Sequence, residues 1–152
     1  MSGIAMSLEK TLTSISTIFL DSAPVIYFVE RKQPYFKQLN PVFKQLDDGL
    51  LTAVTSPITL AECIFYPYKQ NNAQLAVQFK HLLIHGPHTQ FVPTTDAIAD
   101  QSAQLRAKYN LGFADALQIA TAINAKCDAF LTNDTKLQRV SELQVIVLAS
   151  VG

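Results

Sequence analysis

The chain has 152 residues, of which 49% are hydrophobic and 16% are charged, and its formal net charge is zero. This size and composition predict one globular domain with a hydrophobic core and exclude a disordered chain. The zero net charge excludes a protein-wide positive field, so nucleic-acid binding would need a local patch. The two cysteines stand far apart, which indicates free thiols in a reducing compartment. No apolar run could span a bilayer and no secretory signal is visible, so we expect a cytoplasmic protein without a membrane partner.

Helices and strands are predicted to alternate along the chain, from their hydrophobic periodicity and their turn residues. The predicted elements, in chain order, are a short helix from Ser7, a strand at 17–20, a helix with Ser22 as N-cap, a helix at 35–47 broken or kinked near Pro41, a strand at 51–55, a helix from Ser56 to about Tyr66 stopped by Pro67, a helix at 72–85, a strand at 89–92, helices at 95–109 and 114–126, a strand at 129–132, a short helix at 135–140 and a strand at 144–148.

The alternation predicts an α/β fold. Strands that alternate with helices and are apolar on both faces indicate a parallel sheet covered on both sides, and right-handed crossovers then make it doubly wound. We therefore expect a doubly wound sandwich with a central parallel five-stranded sheet and helices on both faces. Residues 1–16 are predicted as an N-terminal extension with a short helix, and residues 17–152 as the α/β domain. Ligands of such folds bind beyond the carboxyl ends of the strands, where the strand order reverses.

Four acidic residues stand in mainly apolar surroundings. Asp21 is the only charged residue between Ile15 and Val29, and Glu62 the only one from Gly49 to Tyr68. Asp115 is likewise alone from Asn110 to Ala125, and Asp134 closes the apolar fourth strand. Asp21 and Asp134 follow the first and fourth strands, which are expected to flank the strand-order reversal. Asp115 lies in the first turn of its helix, and Glu62 shares the expected inward face with Ile58 and Phe65.

A shared crevice would explain these four carboxylates. Buried carboxylates that face one another repel, we expect no lysine or arginine to pair with them, and a hard divalent cation such as Mg²⁺ or Mn²⁺ would relieve the repulsion. Each acid except Glu62 also has a purely structural alternative. Asp115 could favour a helix N-terminus, Asp134 could be a turn or N-cap residue, and Asp21 could form an Asx-turn.

The chain resembles the PIN domain family, and most closely the VapC-type toxins of bacterial toxin–antitoxin pairs. Four segments in this order carry the resemblance: Leu20-Asp21-Ser22, the run from Ser56 to Glu62, Ala114-Asp115-Ala116-Leu117 with Ala120-Thr121-Ala122, and Leu131-Thr132-Asn133-Asp134. Together they span about residues 17–148. The resemblance implies that residues 17–152 form a PIN-like nuclease domain.

The resemblance also implies a function and a set of roles. The protein would be a metal-dependent endoribonuclease, with Mg²⁺ or Mn²⁺ as cofactor and RNA as substrate, that dimerises and is held by a small antitoxin. Asp21, Glu62 and Asp115 would hold the metal and Asp134 would assist. Ser22 and Thr132 match hydroxyl positions near such a site, and Asn133 would orient Asp134.

Two positions depart from the family pattern or match it weakly. Gln118 stands where many relatives have histidine, which leaves a proton relay or RNA contact there in doubt. Arg106 matches a commonly basic position without a role that can be carried over.

Other signals leave further alternatives open. His81, His85 and His88 have a zinc-like spacing, although a solvated helix face is the favoured interpretation. An aromatic and basic group could contact RNA or pack at an interface; it comprises Phe36, Lys37, Tyr66, Tyr68 and Lys69. The stretch 65–68 with the first two helices is the expected antitoxin groove. The alternatives to a toxin are a PIN-domain RNA-processing nuclease without a toxin role and a non-catalytic PIN-like interaction module.

Overall fold

A five-stranded sheet forms the centre of the computed structural model, which describes residues 7–150. Its strands are β1 (Thr17–Leu20), β2 (Thr52–Thr55), β3 (Thr89–Phe91), β4 (Ala129–Thr132) and β5 (Gln144–Val147). Their order is β3-β2-β1-β4-β5, and every neighbouring pair is parallel. The doubly wound parallel sheet is thus confirmed, and its strand order reverses between β1 and β4, as predicted.

Seven α-helices cover this sheet within the described residues. They are α1 (Leu8–Thr11), α2 (Ser22–Val29), α3 (Tyr35–Asp47), α4 (Pro57–Lys69), α5 (Ala73–His85), α6 (Asp96–Tyr109) and α7 (Phe113–Asn124). Short 3₁₀ turns follow at Leu12–Ser14, Thr135–Arg139 and Leu148–Ser150. No helix in the part of the chain that the structure describes combines the length and hydrophobicity that a membrane crossing requires.

The two faces of the sheet bury two separate cores. Successive strand side chains point to opposite faces, so Ile18 and Leu20 pack with α1 to α5, whereas Phe19 packs with α6 and α7. On the second face the rings of Phe19 and Phe130 stack with centroids 5.0 Å apart. Both faces of the central strands β1 and β4 are buried, which explains their mainly apolar sequences, whereas β3 at the edge of the sheet is only partly buried. Asp21 directly follows Leu20, so it lies just beyond the carboxyl end of β1, next to β4.

Predictions at two prolines need correction. Helix α4 continues through Pro67 to Lys69 instead of stopping there, and α3 is one helix through Pro41, so it is not broken at that residue. Pro67 is buried and α4 packs against α5, and this tertiary packing outweighs the hydrogen bond that proline cannot donate. The helix ends instead where Gln70 caps it and Asn71 adopts a φ of 56°.

Smaller differences concern element boundaries and types. The predicted helix at 135–140 is the 3₁₀ turn Thr135–Arg139. Apart from α4, the other elements match the prediction or differ from it by one or two residues at an end. Of the two predicted units, residues 1–6 and 151–152 lie outside the described residues.

Candidate functional site

Asp21 lies where β1 ends and α2 begins, next to β4. Its backbone N–H donates to the carbonyl of Leu131 at 3.0 Å. Its carboxylate accepts two hydrogen bonds, from the backbone N–H of Ser22 at 2.8 Å and from the Thr132 hydroxyl at 2.7 Å. Asp21 therefore caps α2, which corrects the prediction that Ser22 does so.

Burial dominates the electrostatics of Asp21. The side chain is 7% exposed, and the loss of hydration raises its pKa above the ordinary value. The hydrogen bonds from Thr132 and Ser22 oppose that shift, while the negative charges of Glu62 and Asp134 reinforce it. The carboxylate is thus held by neutral donors and repelled by two other acids.

Glu62 approaches Asp21 through a shared neighbour. The Ser22 hydroxyl donates to Glu62 Oε1 at 2.9 Å, which joins the start of α2 to the middle of α4. The prediction that Glu62 lies on the inward face with Phe65 is wrong, because Glu62 is exposed and Phe65 is 59% exposed. The buried stripe of α4 runs through Thr59, Cys63 and Pro67, and Glu62 borders it on the side of the crevice.

Thr132 joins Asp21 to Asp134. Its hydroxyl donates to Asp21 and accepts from the backbone N–H of Asp134 at 3.1 Å. The Asp134 carboxylate in turn accepts from the backbone N–H of Lys136 at 3.0 Å and so begins the 3₁₀ turn. Asn133 bonds elsewhere, to the Tyr27 hydroxyl at 3.2 Å and to the backbone N–H of Ala149 at 3.0 Å.

Asp115 completes the acidic group from the opposite side of the sheet. It lies in the first turn of α7, as predicted, and is partly buried. Burial raises its pKa, the charges of Asp21 and Asp134 raise it further, and the ammonium of Lys136 lowers it. Lys136 is a cation that the sequence analysis missed: its charge acts on Asp115, although it forms no ion pair with any of the four acids within the described residues. The pair Asp134 and Lys136, two residues apart, was the available signal.

Gln118 forms a buried bridge rather than a surface contact. It is 1% exposed, accepts from the Ser56 hydroxyl, and donates to the Thr59 hydroxyl at 2.6 Å. Thr59 donates onward to the carbonyl of Leu20 at 3.3 Å, while Ser56 caps α4. The bridge links α7, the start of α4 and the end of β1, which are the elements that carry Asp115, Glu62 and Asp21. A proton relay or RNA contact through Gln118 would need access that this burial denies.

The donor chemistry of the acidic group fits a hard divalent cation. The ion pairs within residues 7–150 are Lys32–Glu30, Lys44–Asp48 and Lys108–Glu142. None of them includes the four acids, so the mutual repulsion at Asp21 and Asp115 lacks an ion-pair partner. Carboxylate oxygens are the preferred ligands of Mg²⁺ and Mn²⁺. Across those same residues, however, no three acidic, histidine or cysteine side chains are arranged closely enough to hold an ion.

The three histidines do not share one surface. His88 Nδ1 lies 2.7 Å from the carbonyl of Leu46, and its ring lies under Gly49. His81 and His85 are near neighbours on α5, with ring centroids 6.3 Å apart. The contact with Leu46 turns His88 toward the end of α3.

Aromatic side chains with lysines above them lie on the outer surface of α4. Lys69 lies over the rings of Phe65 and Tyr66, and Lys80 lies over Tyr68. Tyr66 also lines a groove of about 500 Å³ between α2 and α4 that reaches Glu62. We call it the α2–α4 groove; Tyr68 is not among the residues that line it. Arg106 lies over the ring of Phe113, 5.7 Å from its centroid.

Several solved structures share this fold. FitAB bound to an IR36 DNA fragment is 19% identical, with 89% of this chain and 97% of that chain covered and a TM-score of 0.70. VapBC2 from Rickettsia felis, bound to a DNA fragment from its promoter, is 19% identical over 86% and 98% of the two chains, with a TM-score of 0.66. VapC20 from Mycobacterium tuberculosis, a sarcin–ricin loop cleaving toxin, is 13% identical over 74% and 86%, with a TM-score of 0.59.

Comparison with family models gives the sequence evidence. A search of curated proteins finds no match to this chain. The model of the PIN domain family, in contrast, matches residues 18–143, which include all four acids of the site. The fold, the strand-order reversal at β1–β4 and this match agree, and the chain therefore belongs to the PIN domain family.

Proposed function

We propose that this protein is a metal-dependent endoribonuclease that uses Mg²⁺ or Mn²⁺ and acts as the toxin of a toxin–antitoxin pair. Membership of a nuclease family supports a hydrolase of phosphodiester bonds. The observation that supports a metal is Asp21, a buried carboxylate at the strand-order reversal that two other acids repel and that no ion pair among residues 7–150 relieves. A divalent cation would supply the missing positive charge.

Asp21, Glu62 and Asp115 would hold the ion, with Asp134 assisting. Ser22 orients Glu62, and Thr132 fixes both the Asp21 carboxylate and the backbone of Asp134. Glu62 is exposed at the edge of the crevice, so its side chain has room to turn toward Asp21 when a cation is present, with loss of the hydrogen bond from Ser22. The bound ion would lower the pKa of a water molecule and offset negative charge on the scissile phosphate.

Hydrolysis by water makes a specific prediction about the products. Because the RNA 2′-hydroxyl takes no part in the attack, we expect 5′-phosphate and 3′-hydroxyl ends when labelled RNA is incubated with the protein and Mg²⁺ or Mn²⁺. EDTA should abolish cleavage. Products that end in 2′,3′-cyclic phosphate, or cleavage that persists in EDTA, would exclude this mechanism.

The α2–α4 groove is our proposed antitoxin site. Its wall includes Ile26, Tyr27, Tyr66 and Pro67, an apolar and aromatic lining suited to an amphipathic helix or an extended segment. The solved complexes that share the fold include toxin–antitoxin pairs, which supports a partner of this kind. The groove reaches Glu62, so an occupant would lie beside the proposed metal ligands and could block them.

Two tyrosines of α4 provide a matched test of this groove. Tyr66 and Tyr68 are both exposed, at 60% and 50%, but only Tyr66 is among the groove-lining residues. Tyr66→Ala should weaken co-purification with the product of a short neighbouring gene at least about tenfold, the loss expected of a buried aromatic anchor. Tyr68→Ala should have little effect. Equal retention of the partner by both variants would contradict this assignment.

A homodimer is part of the same proposal. Within the described residues, α4 and α5 expose four large hydrophobic side chains, namely Phe65, Tyr66, Tyr68 and Val77. Exposed apolar side chains of this kind are typical of surfaces that pair with another protein. A second copy of the chain and the antitoxin would then use neighbouring parts of the helical layer.

A further inference from the structure

A small pocket beside Asp115 is separate from the α2–α4 groove. It encloses about 190 Å³ and is lined by Gly112, Asp115, Lys136 and Arg139, together with Asn110 and Leu137 among others. That volume is below the roughly 300 to 1,000 Å³ of pockets that enclose drug-sized ligands. It suits a single phosphate group better than a nucleoside or an organic cofactor.

The charges around this pocket favour an anion. Lys136 and Arg139 are three residues apart on the 3₁₀ turn Thr135–Arg139, a spacing that places their side chains on the same side. Both line the pocket, and Asp115 is the only acid that does so within the described residues. Asp115 also faces Asp21 and Asp134, so its charge belongs to the acidic site as well.

The two cations differ in how firmly the protein holds them: a hydrogen bond fixes the Arg139 guanidinium, whereas the Lys136 ammonium has none within the described residues. Arg139 Nη1 donates to the carbonyl of Tyr109 at 2.9 Å, which fixes the guanidinium against the end of α6. A guanidinium has five N–H donors, so others remain for a ligand. The Lys136 ammonium takes part in no hydrogen bond or ion pair with any residue from 7 to 150. Its charge acts on Asp115, but no hydrogen bond or ion pair within the described residues holds the ammonium in place.

Gly112 adjoins the Asp115 carboxylate at the wall of this pocket. A Cβ atom at this position would stand 3.4 Å from Asp115 Oδ2, an ordinary van der Waals contact. Gly112, Asp115 and Lys136 line the same pocket, so the pocket directly adjoins one of the four acids.

We infer that this pocket binds a backbone phosphate of the RNA strand next to the phosphate that is cleaved. Lys136 contacts this phosphate, and the hydrogen-bonded Arg139 also lines the pocket. This inference rests on the proposed nuclease function. An RNA strand that crosses four carboxylates meets repulsion, and the protein has no net positive charge to offset it. A local cation beside Asp115 would hold the strand in register over the acids.

The test measures RNA binding separately from cleavage. A fluorescently labelled single-stranded RNA is titrated in EDTA with the wild type, Lys136→Met, Lys136→Arg and Lys10→Met. Lys10 is an exposed lysine on α1, remote from the pocket, and serves as the control.

In this titration Lys136→Met should weaken RNA binding about three- to tenfold, as expected for loss of one exposed charged contact. It should also reduce the slope of log affinity against log salt by about 0.7, the value for one single-strand phosphate. Lys136→Arg should retain binding, and Lys10→Met should match the wild type.

Cleavage assays with Mg²⁺ then separate this inference from the proposed function. Lys136→Met should raise KM by a similar factor and change kcat less. If the wild type cleaves RNA and Lys136→Met matches Lys10→Met in affinity, salt slope and KM, the pocket assignment is wrong. If the wild type cleaves no RNA, the proposed function fails, and the EDTA titration still decides whether Lys136 contacts RNA. A third experiment adds inorganic phosphate to the wild type and measures the thermal unfolding temperature. If phosphate raises this temperature while Lys136→Met leaves RNA binding intact, the pocket binds free phosphate instead of RNA. That result would overturn the inference.

Discussion

Asp21 combines deep burial with a negative charge, and the groups that hydrogen-bond to its carboxylate, a backbone N–H and a hydroxyl, are neutral. Two donors, Ser22 and Thr132, stabilise the charged form, but burial and the nearby acids outweigh them and raise the pKa. A pKa that is higher in the folded than in the unfolded chain means that ionisation of this group destabilises the fold. The ionised Asp21 carboxylate therefore lowers the stability of the metal-free protein, and a bound cation would relieve this destabilisation.

Replacement of Asp21 should reveal this destabilisation. In EDTA above the raised pKa, Asp21→Asn should increase the free energy of unfolding by about 0.5–2 kcal/mol, the usual gain when a strained functional residue is removed. Between the ordinary pKa of aspartate and the raised pKa, the folded wild type holds a proton on Asp21 that the unfolded chain has lost. The wild type therefore loses stability relative to Asp21→Asn as pH rises through this interval. The difference should vanish below that ordinary pKa. Urea denaturation at several pH values measures it, and a variant less stable than the wild type at high pH would contradict this account.

The residues of the site could be predicted from sequence to different extents. Asp21 and Asp134 follow apolar strands, and the strand-order reversal brings such ends together. Lys136 stands two residues after Asp134 and could have been noticed in the sequence, but its effect on Asp115, twenty-one residues earlier, depends on the fold that places both at one pocket. The exposure of Glu62 was missed because the buried stripe of α4 follows Thr59, Cys63 and Pro67, and one residue of helix rotation decides which neighbour faces solvent.

At the scale of elements, a polar bridge in the core sets the position of α4. Gln118 on α7 bonds to both Ser56 and Thr59, and Thr59 bonds to the end of β1. Periodicity predicted α4 and α7 but not this bridge, because hydrogen bonds between distant segments leave no local pattern. The passage of α4 through Pro67 was missed for a similar reason, since packing against α5 is also a long-range effect.

Removal of the bridge should loosen α4. Gln118→Leu keeps a similar volume but leaves the Ser56 and Thr59 hydroxyls buried without this partner, so we expect a loss of about 1–3 kcal/mol in the free energy of unfolding. Gln104→Leu on the exposed face of α6, where the amide bonds Asp100, should change it by about 0.5 kcal/mol or less. Chemical denaturation of both variants checks the difference. Equal losses of unfolding free energy in the two variants would show that the buried bridge contributes no more to stability than an exposed hydrogen bond.

At the scale of the whole molecule, the parallel sheet gathers acids from distant segments at one edge. The order β3-β2-β1-β4-β5 places the ends of β1 and β4 side by side, and α4 and α7 add Glu62 and Asp115 from opposite faces. The fold class was predictable because strands and helices alternate and the central strands β1 and β4 are mainly apolar on both faces. The zero net charge means that RNA must be held by local groups rather than by the overall field.

The central claim is that this gathered acidic site performs metal-dependent cleavage of RNA. Its most direct test is the cleavage rate in Mn²⁺ for the wild type, Asp21→Asn, Asp115→Asn and, as a control, Asp47→Asn at an exposed position of α3. Asp21→Asn and Asp115→Asn should lose at least about a hundredfold in rate, because several kcal/mol of charge stabilisation would be lost with the ion. Asp47→Asn should match the wild type. Rates for Asp21→Asn and Asp115→Asn that equal those of the wild type would contradict the account.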